Sequence, residues 1–135
     1  MSQPMNILLV EDHADSADVL AMLLRAEGHA VKIAGGVMAA TQLAAEQPFD
    51  LLLCDLGLPD GSGLDLMRQL KSRYRIKGIA LTGSAMDEDV AACREAGFDA
   101  HVSKPCAPAK LNFALEGLAR TRAVAAGPAH SVELL

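Results

Sequence analysis

Short runs of apolar residues alternate with longer amphipathic segments along most of the chain. Each run is about as long as a buried strand, and between the runs the apolar residues are spaced three and four apart, as on one face of a helix. Leu111, Leu115 and Leu118 show that helical spacing most clearly. The five predicted strands are Asn6–Val10, Ala30–Ala34, Leu51–Cys54, Gly78–Leu81 and Ala100–Val102.

Glycine and proline support these boundaries. Gly28 and Gly97 each follow a predicted helix, where a left-handed residue often ends the helical turn. Pro108 stands at the predicted start of the fifth helix, where its missing N–H costs nothing. The second helix, around Val37–Glu46, has the weakest pattern because its apolar stripe is mostly alanine.

Strict alternation of strands and helices with short loops predicts a parallel sheet with right-handed crossovers. Five strands in a chain of 135 residues favour a flavodoxin-like, three-layer α/β/α sandwich with strand order 2-1-3-4-5. We expect one domain over residues 1–120. From Thr121 the periodicity is lost and Gly and Pro appear, so residues 121–135 are predicted to form a flexible tail.

The composition narrows the class of protein. Hydrophobic residues make up 51% of the chain, enough for a core on both faces of a sheet. The net charge of −5, with scattered basic residues, argues against nucleic-acid binding. There is no apolar run long enough to span a membrane, no basic secretory segment, and no metal-like spacing among the three cysteines. We therefore expect a cytoplasmic protein.

Five polar residues fall at the ends of the predicted strands. Glu11 and Asp12 follow the first, Asp55 the third, Thr82 the fourth and Lys104 the fifth. In a parallel sheet these ends share one edge, where open α/β sheets bind ligands. Each residue alone has an ordinary interpretation, since an aspartate after a strand is usually a turn former. Together they have no common packing explanation, and we interpret them as one site.

The residue types indicate the chemistry of this site. Three carboxylates at one edge repel one another unless a cation lies among them, and hard oxygen ligands favour Mg²⁺ or Mn²⁺. Lys104 adds a positive charge and Thr82 a hydroxyl donor. Such a site suits phosphoryl transfer to a carboxylate nucleophile, which depends on positioning and charge neutralisation. Backbone N–H groups that complete the predicted phosphate cradle belong to Leu56, Gly57 and Gly83.

Four stretches resemble the response-regulator receiver (CheY-like) family over about Met5 to Leu118. They read ILLVEDH, LLLCDLGLPDGSGLDLM, ALTGS and EAGFDAHVSKP. The resemblance implies that Asp55 is the phosphoacceptor and that Asp12 and Asp55 bind Mg²⁺ directly. It further implies that Glu11 assists through water and that the Gly57 carbonyl is a third protein ligand.

The resemblance extends to the phosphoryl group and its partners. Thr82 and Lys104 are expected to bind phosphoryl oxygens, and the Lys104–Pro105 peptide bond to be cis. The expected donor is the phosphohistidine of a histidine kinase or histidine phosphotransfer protein. Phosphorylation would draw Thr82 inward and let His101 rearrange. The face formed by the fourth helix, fifth strand and fifth helix would then change its preference for a downstream protein partner.

Two departures from the family pattern stand out. His101 occupies a position where the family usually has Tyr or Phe. It either substitutes for that ring or makes the response depend on pH, since histidine titrates near pH 6.5. Gly57 and Ser84 are small where they flank the expected path of an attacking water, which predicts rapid loss of phosphate. In the loop after Asp55, Gly63 is expected to add flexibility.

The predicted protein is a signalling phosphoacceptor rather than an enzyme. It is either a single-domain regulator or the receiver segment of a hybrid sensor histidine kinase. A phosphatase of the haloacid-dehalogenase type needs a second Asp two residues after its nucleophile, and Gly57 stands there instead. A pseudo-receiver that only binds partners usually lacks an acidic residue, the acceptor or the lysine, and all of these are present.

Overall fold

The computed structural model describes residues 4–83, 87–104, 108–119 and 132–134. Over these ranges strands and helices alternate as predicted, and helix α2 is formed despite its weak pattern. The strands are β1 Asn6–Val10, β2 Ala30–Ala34, β3 Leu51–Asp55, β4 Lys77–Thr82, β5 Ala100–Ser103 and β6 Val132–Leu134. The helices are α1 Ala14–Ala26, α2 Val37–Glu46, α3 Gly63–Arg73, α4 Asp87–Ala96 and α5 Pro108–Ala119.

The first five strands form a parallel sheet of order β2-β1-β3-β4-β5, which confirms the predicted 2-1-3-4-5 topology. β1 pairs with β2 on one side and with β3 on the other, so the strand order reverses between β1 and β3. A crevice at the carboxyl ends of the strands is expected at such a reversal.

Helices cover both faces of the sheet, which explains why the strands, and the central ones above all, are mostly apolar. Ile7 and Leu9 of β1 pack into a core shared with α1 and α5. Leu8 and Val10 point the other way, into a core shared with α2, α3 and α4. All four side chains are fully buried, so both cores extend to the end of β1 and leave the next residues at the sheet edge.

The helix ends follow the glycine signals. Gly28 and Gly97 have φ values of 97° and 110°, as predicted for left-handed residues that end α1 and α4. Pro108 is the first residue of α5. The loop after β3 forms a short hairpin in which Gly57 pairs with Ser62 and Leu58 with Gly61.

One strand of the main sheet has no counterpart in the sequence prediction. β6 pairs antiparallel with β5, with Glu133 opposite His101. It falls within the segment for which a flexible tail is predicted, and the rest of that segment lies outside the described residues. Among the helices of the described ranges, none combines the length and apolar character needed to cross a bilayer.

Candidate functional site

Three carboxylates meet at the carboxyl edge of the sheet. Asp55 ends β3, and Glu11 and Asp12 directly follow β1, the strand beside it. A hydrogen bond from the Glu11 N–H to the Ala34 carbonyl, 3.0 Å long, holds the first residue of this turn against β2. One carboxylate oxygen from each acid lies within 4.8 Å of the others. The structure thus brings together the three acids that the sequence assigns to the site.

The three acids differ in their exposure to water. Glu11 is only 4% exposed, whereas Asp12 is exposed and Asp55 is partly buried. The Oε2 atom of Glu11 accepts a hydrogen bond of 3.1 Å from the His13 N–H, which fixes the carboxylate within the turn. Its other oxygen lies 3.6 Å from Lys104 Nζ. The buried acid therefore has a defined orientation, while Asp12 faces solvent.

Lys104 is the cation of the site. Its Nζ donates a hydrogen bond of 2.6 Å to Asp55 Oδ2, and its backbone N–H donates to the Thr82 carbonyl at 2.8 Å. Partial burial lowers the pKa of Lys104. The hydrogen bond and charge of Asp55, with the charge of Glu11, outweigh that effect and raise the pKa above its ordinary value. Lys104 is therefore held in its charged form beside the Asp55 carboxylate.

The charges of this cluster fit a divalent cation. Three carboxylates face one ammonium group, which leaves two negative charges uncompensated when all groups are ionised. The donors are all oxygens, and their spacing allows each acid to offer one ligand atom to the same ion. Hard oxygen ligands with solvent access suit Mg²⁺ or Mn²⁺, as the sequence predicts.

Backbone close to Asp55 shapes its environment. The Gly57 N–H donates a hydrogen bond of 3.2 Å to Asp55 Oδ1. A Cβ atom on Gly57 would meet nothing within 4 Å, so the space beside this glycine is open. In contrast, a Cβ on Gly63 would lie 2.5 Å from the Asp55 carbonyl oxygen and 3.0 Å from Cys54 Sγ. Gly63 therefore permits a close approach of α3 to β3, and its expected contribution to flexibility stays a prediction.

The residue before Asp55 is a buried free cysteine. Cys54 is fully buried, and burial, together with the charges of Asp55 and Glu11, raises the pKa of its thiol far above the ordinary value. Its Sγ lies 3.1 Å from the Asp55 carbonyl oxygen. A thiol held protonated in this way is a poor nucleophile.

Thr82 and His101 lie on the neighbouring strands. Thr82 ends β4 and is 7% exposed, and it pairs in register with Ser103 of β5. His101 is in the middle of β5, opposite Ala80, and is 2% exposed. Thr82 is thus at the edge of the site, while His101 lies two residues further back along the sheet and is buried in this conformation.

The remaining predicted site residues follow β3, β4 and β5 along the chain. Leu56 and Gly83 lie in the loops directly after β3 and β4, as expected for backbone donors at this edge. Ser84 and Pro105 lie outside the described residues. The position of Ser84 beside the path of an attacking water and the cis peptide bond before Pro105 therefore stay predictions.

Sequence reasoning missed the role of Asp60. Its carboxylate accepts hydrogen bonds from the N–H groups of Val37 and Met38, at the first turn of α2. The signal was indirect: Gly36 precedes α2 without a capping side chain, and the first turn contains no acidic residue. A helix that begins this way needs its amide groups satisfied from elsewhere in the fold.

The family model of the response regulator receiver domain matches residues 7–116. The chain belongs to this family. The match includes every strand of the parallel sheet except the first residue of β1, and all of the site residues described above. Membership confirms the fold class and the resemblance inferred from the sequence.

The chain is also similar to part of a much longer regulatory protein. It is 32% identical over 136 residues to the sensory/regulatory protein RpfC of Xanthomonas campestris pv. campestris, covering 96% of this chain but 19% of that protein. The chain therefore spans about a fifth of that relative.

Two solved structures match closely in shape. A CheY-like response regulator receiver domain from Methanospirillum hungatei has a TM-score of 0.80 at 30% identity, covering 89% of this chain and 97% of that one. The receiver domain of a sensor histidine kinase from Pseudomonas aeruginosa has a TM-score of 0.75 at 31% identity, covering 84% and 96%. That structure contains a magnesium ion coordinated in its active-site cleft.

Proposed function

We propose that this receiver domain of a two-component system accepts a phosphoryl group on Asp55. The observation that carries the proposal is the Lys104 Nζ to Asp55 Oδ2 contact of 2.6 Å within a cluster that also contains Glu11 and Asp12. A carboxylate beside a fixed ammonium group, at the edge of a parallel sheet, combines a nucleophile with charge stabilisation for an incoming phosphoryl group.

Asp55 attacks the phosphorus of a phosphohistidine. The new bond joins a carboxylate oxygen to phosphorus, while the P–N bond breaks and its electron pair returns to the imidazole of the donor. Lys104 and the Thr82 hydroxyl bind phosphoryl oxygens, and the N–H groups of Leu56, Gly57 and Gly83 complete the cradle. Lys104 Nζ and the Gly57 N–H already contact the Asp55 carboxylate, so these two donors need little reorganisation.

Glu11, Asp12 and Asp55, with the Gly57 carbonyl, are the proposed ligands of Mg²⁺, Asp12 and Asp55 directly and Glu11 through water. The bound ion supplies charge neutralisation between the carboxylates and the phosphoryl oxygens. The related receiver domain from P. aeruginosa, which contains magnesium in its cleft, supports this assignment. Mn²⁺ satisfies the same oxygen donors.

The proposed donor is a histidine kinase or a histidine phosphotransfer protein. A protein that places its histidine against Asp55 must cover the carboxyl edge of the sheet, and α1 begins beside that edge. Val19 and Met22 of α1 are 54% and 65% exposed. Exposed apolar side chains next to a reactive site suit a transient protein contact. The similarity to RpfC also supports the alternative that the chain is the receiver segment of a hybrid sensor kinase.

The proposed response is a switch rather than turnover of a substrate. Phosphorylation draws Thr82 toward the phosphoryl group, and His101 rearranges in β5, which changes the α4–β5–α5 face toward its downstream partner. The role of His101 is tested by NMR titration with and without a phosphoryl mimic. Identical titration curves in the two states would exclude His101 as a pH-sensitive element.

The cytoplasm is the compartment we propose, since Cys54 and Cys93 are buried free thiols.

Incubation with acetyl phosphate and Mg²⁺ tests the central proposal. Intact-mass spectrometry should show the addition of one phosphoryl group, and Asp55→Asn should abolish it. The matched control is Asp65→Asn, which removes an exposed carboxylate that pairs with Arg68 on α3. No phosphorylated species in the wild type would favour a pseudo-receiver, and multiple turnover of a small phosphate ester would favour a phosphatase.

A further inference from the structure

The loop that follows the acceptor is tied to a helix from another part of the chain. Asp60 is at the tip of this loop, and its Oδ1 and Oδ2 atoms accept hydrogen bonds from the N–H groups of Val37 and Met38, at 2.7 and 3.0 Å. The carboxylate therefore caps the amino end of α2 across 22 residues of sequence. These hydrogen bonds lower the pKa of Asp60, the bond from Met38 having the larger effect.

The start of α2 is built to receive this carboxylate. The residue before the helix is Gly36, and a Cβ atom there would lie 2.5 Å from Asp60 Oδ1. Gly36 has extended backbone with φ −172°, which any residue adopts, so the requirement for glycine comes from the space that Asp60 occupies. Gly61, next to Asp60, has φ 157° and packs close to Val37. Both glycines fit the same contact between loop and helix.

The other end of the same loop reaches the acceptor. Gly57 pairs with Ser62 across the hairpin and donates its N–H to Asp55 Oδ1. Ser62 Oγ accepts from the Leu64 N–H and so anchors the returning strand to α3. At the tip itself Pro59 and Asp60 are both exposed, whereas Leu58 before them packs against the core. The bonds from Asp60 to α2 are thus the polar contacts that hold the tip in place.

We propose that Asp60 is a positioning residue for the phosphorylation site. Its attachment to α2 orients the hairpin so that Gly57 is held beside Asp55, with its N–H toward the acceptor and its carbonyl available to the metal. The proposal rests on the proposed function in one respect, the role of the Gly57 carbonyl as a ligand. A residue one step removed from the ligands affects metal affinity when it fixes their orientation.

A simpler role for Asp60 is to stabilise α2 alone. Moving the helix cap from Asp60 to a residue next to α2 distinguishes this role from the positioning of the loop. Asp60→Ala removes both the cap and the attachment. In the double variant Asp60→Ala/Gly36→Ser the vacated space admits a serine side chain, which caps α2 from its own sequence. The double variant therefore restores the cap without restoring the attachment. Ala45→Gly is the matched control, since it weakens α2 at an exposed position away from the loop.

Three measurements separate the outcomes: the urea midpoint, the amide signal and relaxation of Gly57 in metal-free protein, and the Mg²⁺ dissociation constant. We expect Asp60→Ala to mobilise Gly57 and weaken Mg²⁺ binding by about tenfold. The double variant should recover the urea midpoint but neither of the other two properties. Ala45→Gly should lower only the urea midpoint.

Full recovery of Gly57 order and Mg²⁺ affinity in the double variant would overturn the proposal, as would an unchanged Gly57 in Asp60→Ala. Failure of the proposed function has a different signature. In that case the wild type itself takes no phosphoryl group from acetyl phosphate, while the metal-free Gly57 signal still reports whether Asp60 orders the loop.

Discussion

At the residue scale, two glycines beside Asp55 have opposite surroundings. A Cβ on Gly63 would meet backbone and sulfur at 2.5 to 3.0 Å, whereas one on Gly57 would meet nothing within 4 Å. The first glycine is needed for packing, and the second leaves space next to the acceptor. Substitutions at the two positions should therefore affect different properties of the protein.

We predict that Gly63→Ala destabilises the protein by about 1–3 kcal/mol, as overpacking of a tight site does. The added methyl group must displace the Asp55 carbonyl or the start of α3, and neither is a flexible side-chain end. Urea unfolding gives the measurement. Gly57→Ala is the control and should unfold at the wild-type midpoint; equal losses in both variants would contradict this account.

Gly57→Met should lengthen the lifetime of the phosphoryl group on Asp55. The larger side chain would occupy open space beside the acceptor and obstruct an attacking water. Loss of phosphate is followed by mass spectrometry after the phosphoryl donor is removed. Gly35→Met serves as the control, because Gly35 also has open space around it and follows β2 rather than β3. An unchanged lifetime in Gly57→Met would count against the water path.

At the element scale, most boundaries could be predicted from the sequence because β1, β3 and β4 are buried along nearly their whole length and so form continuous apolar runs. β1, β2 and α2 have the predicted limits. The apolar face of α2 consists of small residues, and Ala40 and Ala44 pack in the core beside the sheet. The cap of α2 was not predictable in the same way. Asp60 acts from 23 residues away, and periodicity reports only on neighbours within one element. β6 was missed for a related reason, since its pairing with β5 is non-local.

The charge of Asp60 should make the stability of the protein depend on pH in the acidic range. The pKa of Asp60 in the folded protein lies below the ordinary value of 3.8. The ionised carboxylate therefore contributes its full share to the free energy of unfolding above pH 3.8, and this share is lost as the pH falls through the folded-state pKa. The difference in urea midpoint between wild type and Asp60→Asn should be constant near neutral pH and shrink below about pH 4. A constant difference down to about pH 2 would argue against a charged cap.

The contact of α1 with a protein donor can be separated from the chemistry of Asp55. Met22→Glu places a charge on the exposed apolar face of α1 and should slow transfer from a phosphohistidine protein. Phosphorylation by acetyl phosphate, which needs no protein contact, should proceed at the wild-type rate. Equal slowing with both donors would mean that the variant disturbs the site instead of the surface.

At the scale of the whole molecule, the fold brings three carboxylates together at the carboxyl edge of the sheet. The topology places the ends of β1 and β3 side by side, so the position of the acidic cluster follows from strand order. Strand order was predictable from the alternation of elements. The 2.6 Å Lys104–Asp55 contact and the burial of Glu11 were not, because they depend on side-chain positions that strand order does not determine.

This concentration of charge should couple folding to metal binding. Without a divalent cation, Asp12 is repelled by Glu11 and Asp55, so Asp12→Asn should raise the free energy of unfolding. With Mg²⁺ at about 100 times its dissociation constant, the wild type should gain about 2.7 kcal/mol by linkage, and the variant much less. The order of stability of the two proteins should therefore reverse as Mg²⁺ is added. Thermal unfolding with EDTA and with increasing Mg²⁺ measures this; Asp65→Asn should follow the wild type throughout, and parallel curves for Asp12→Asn would exclude Asp12 from the metal site.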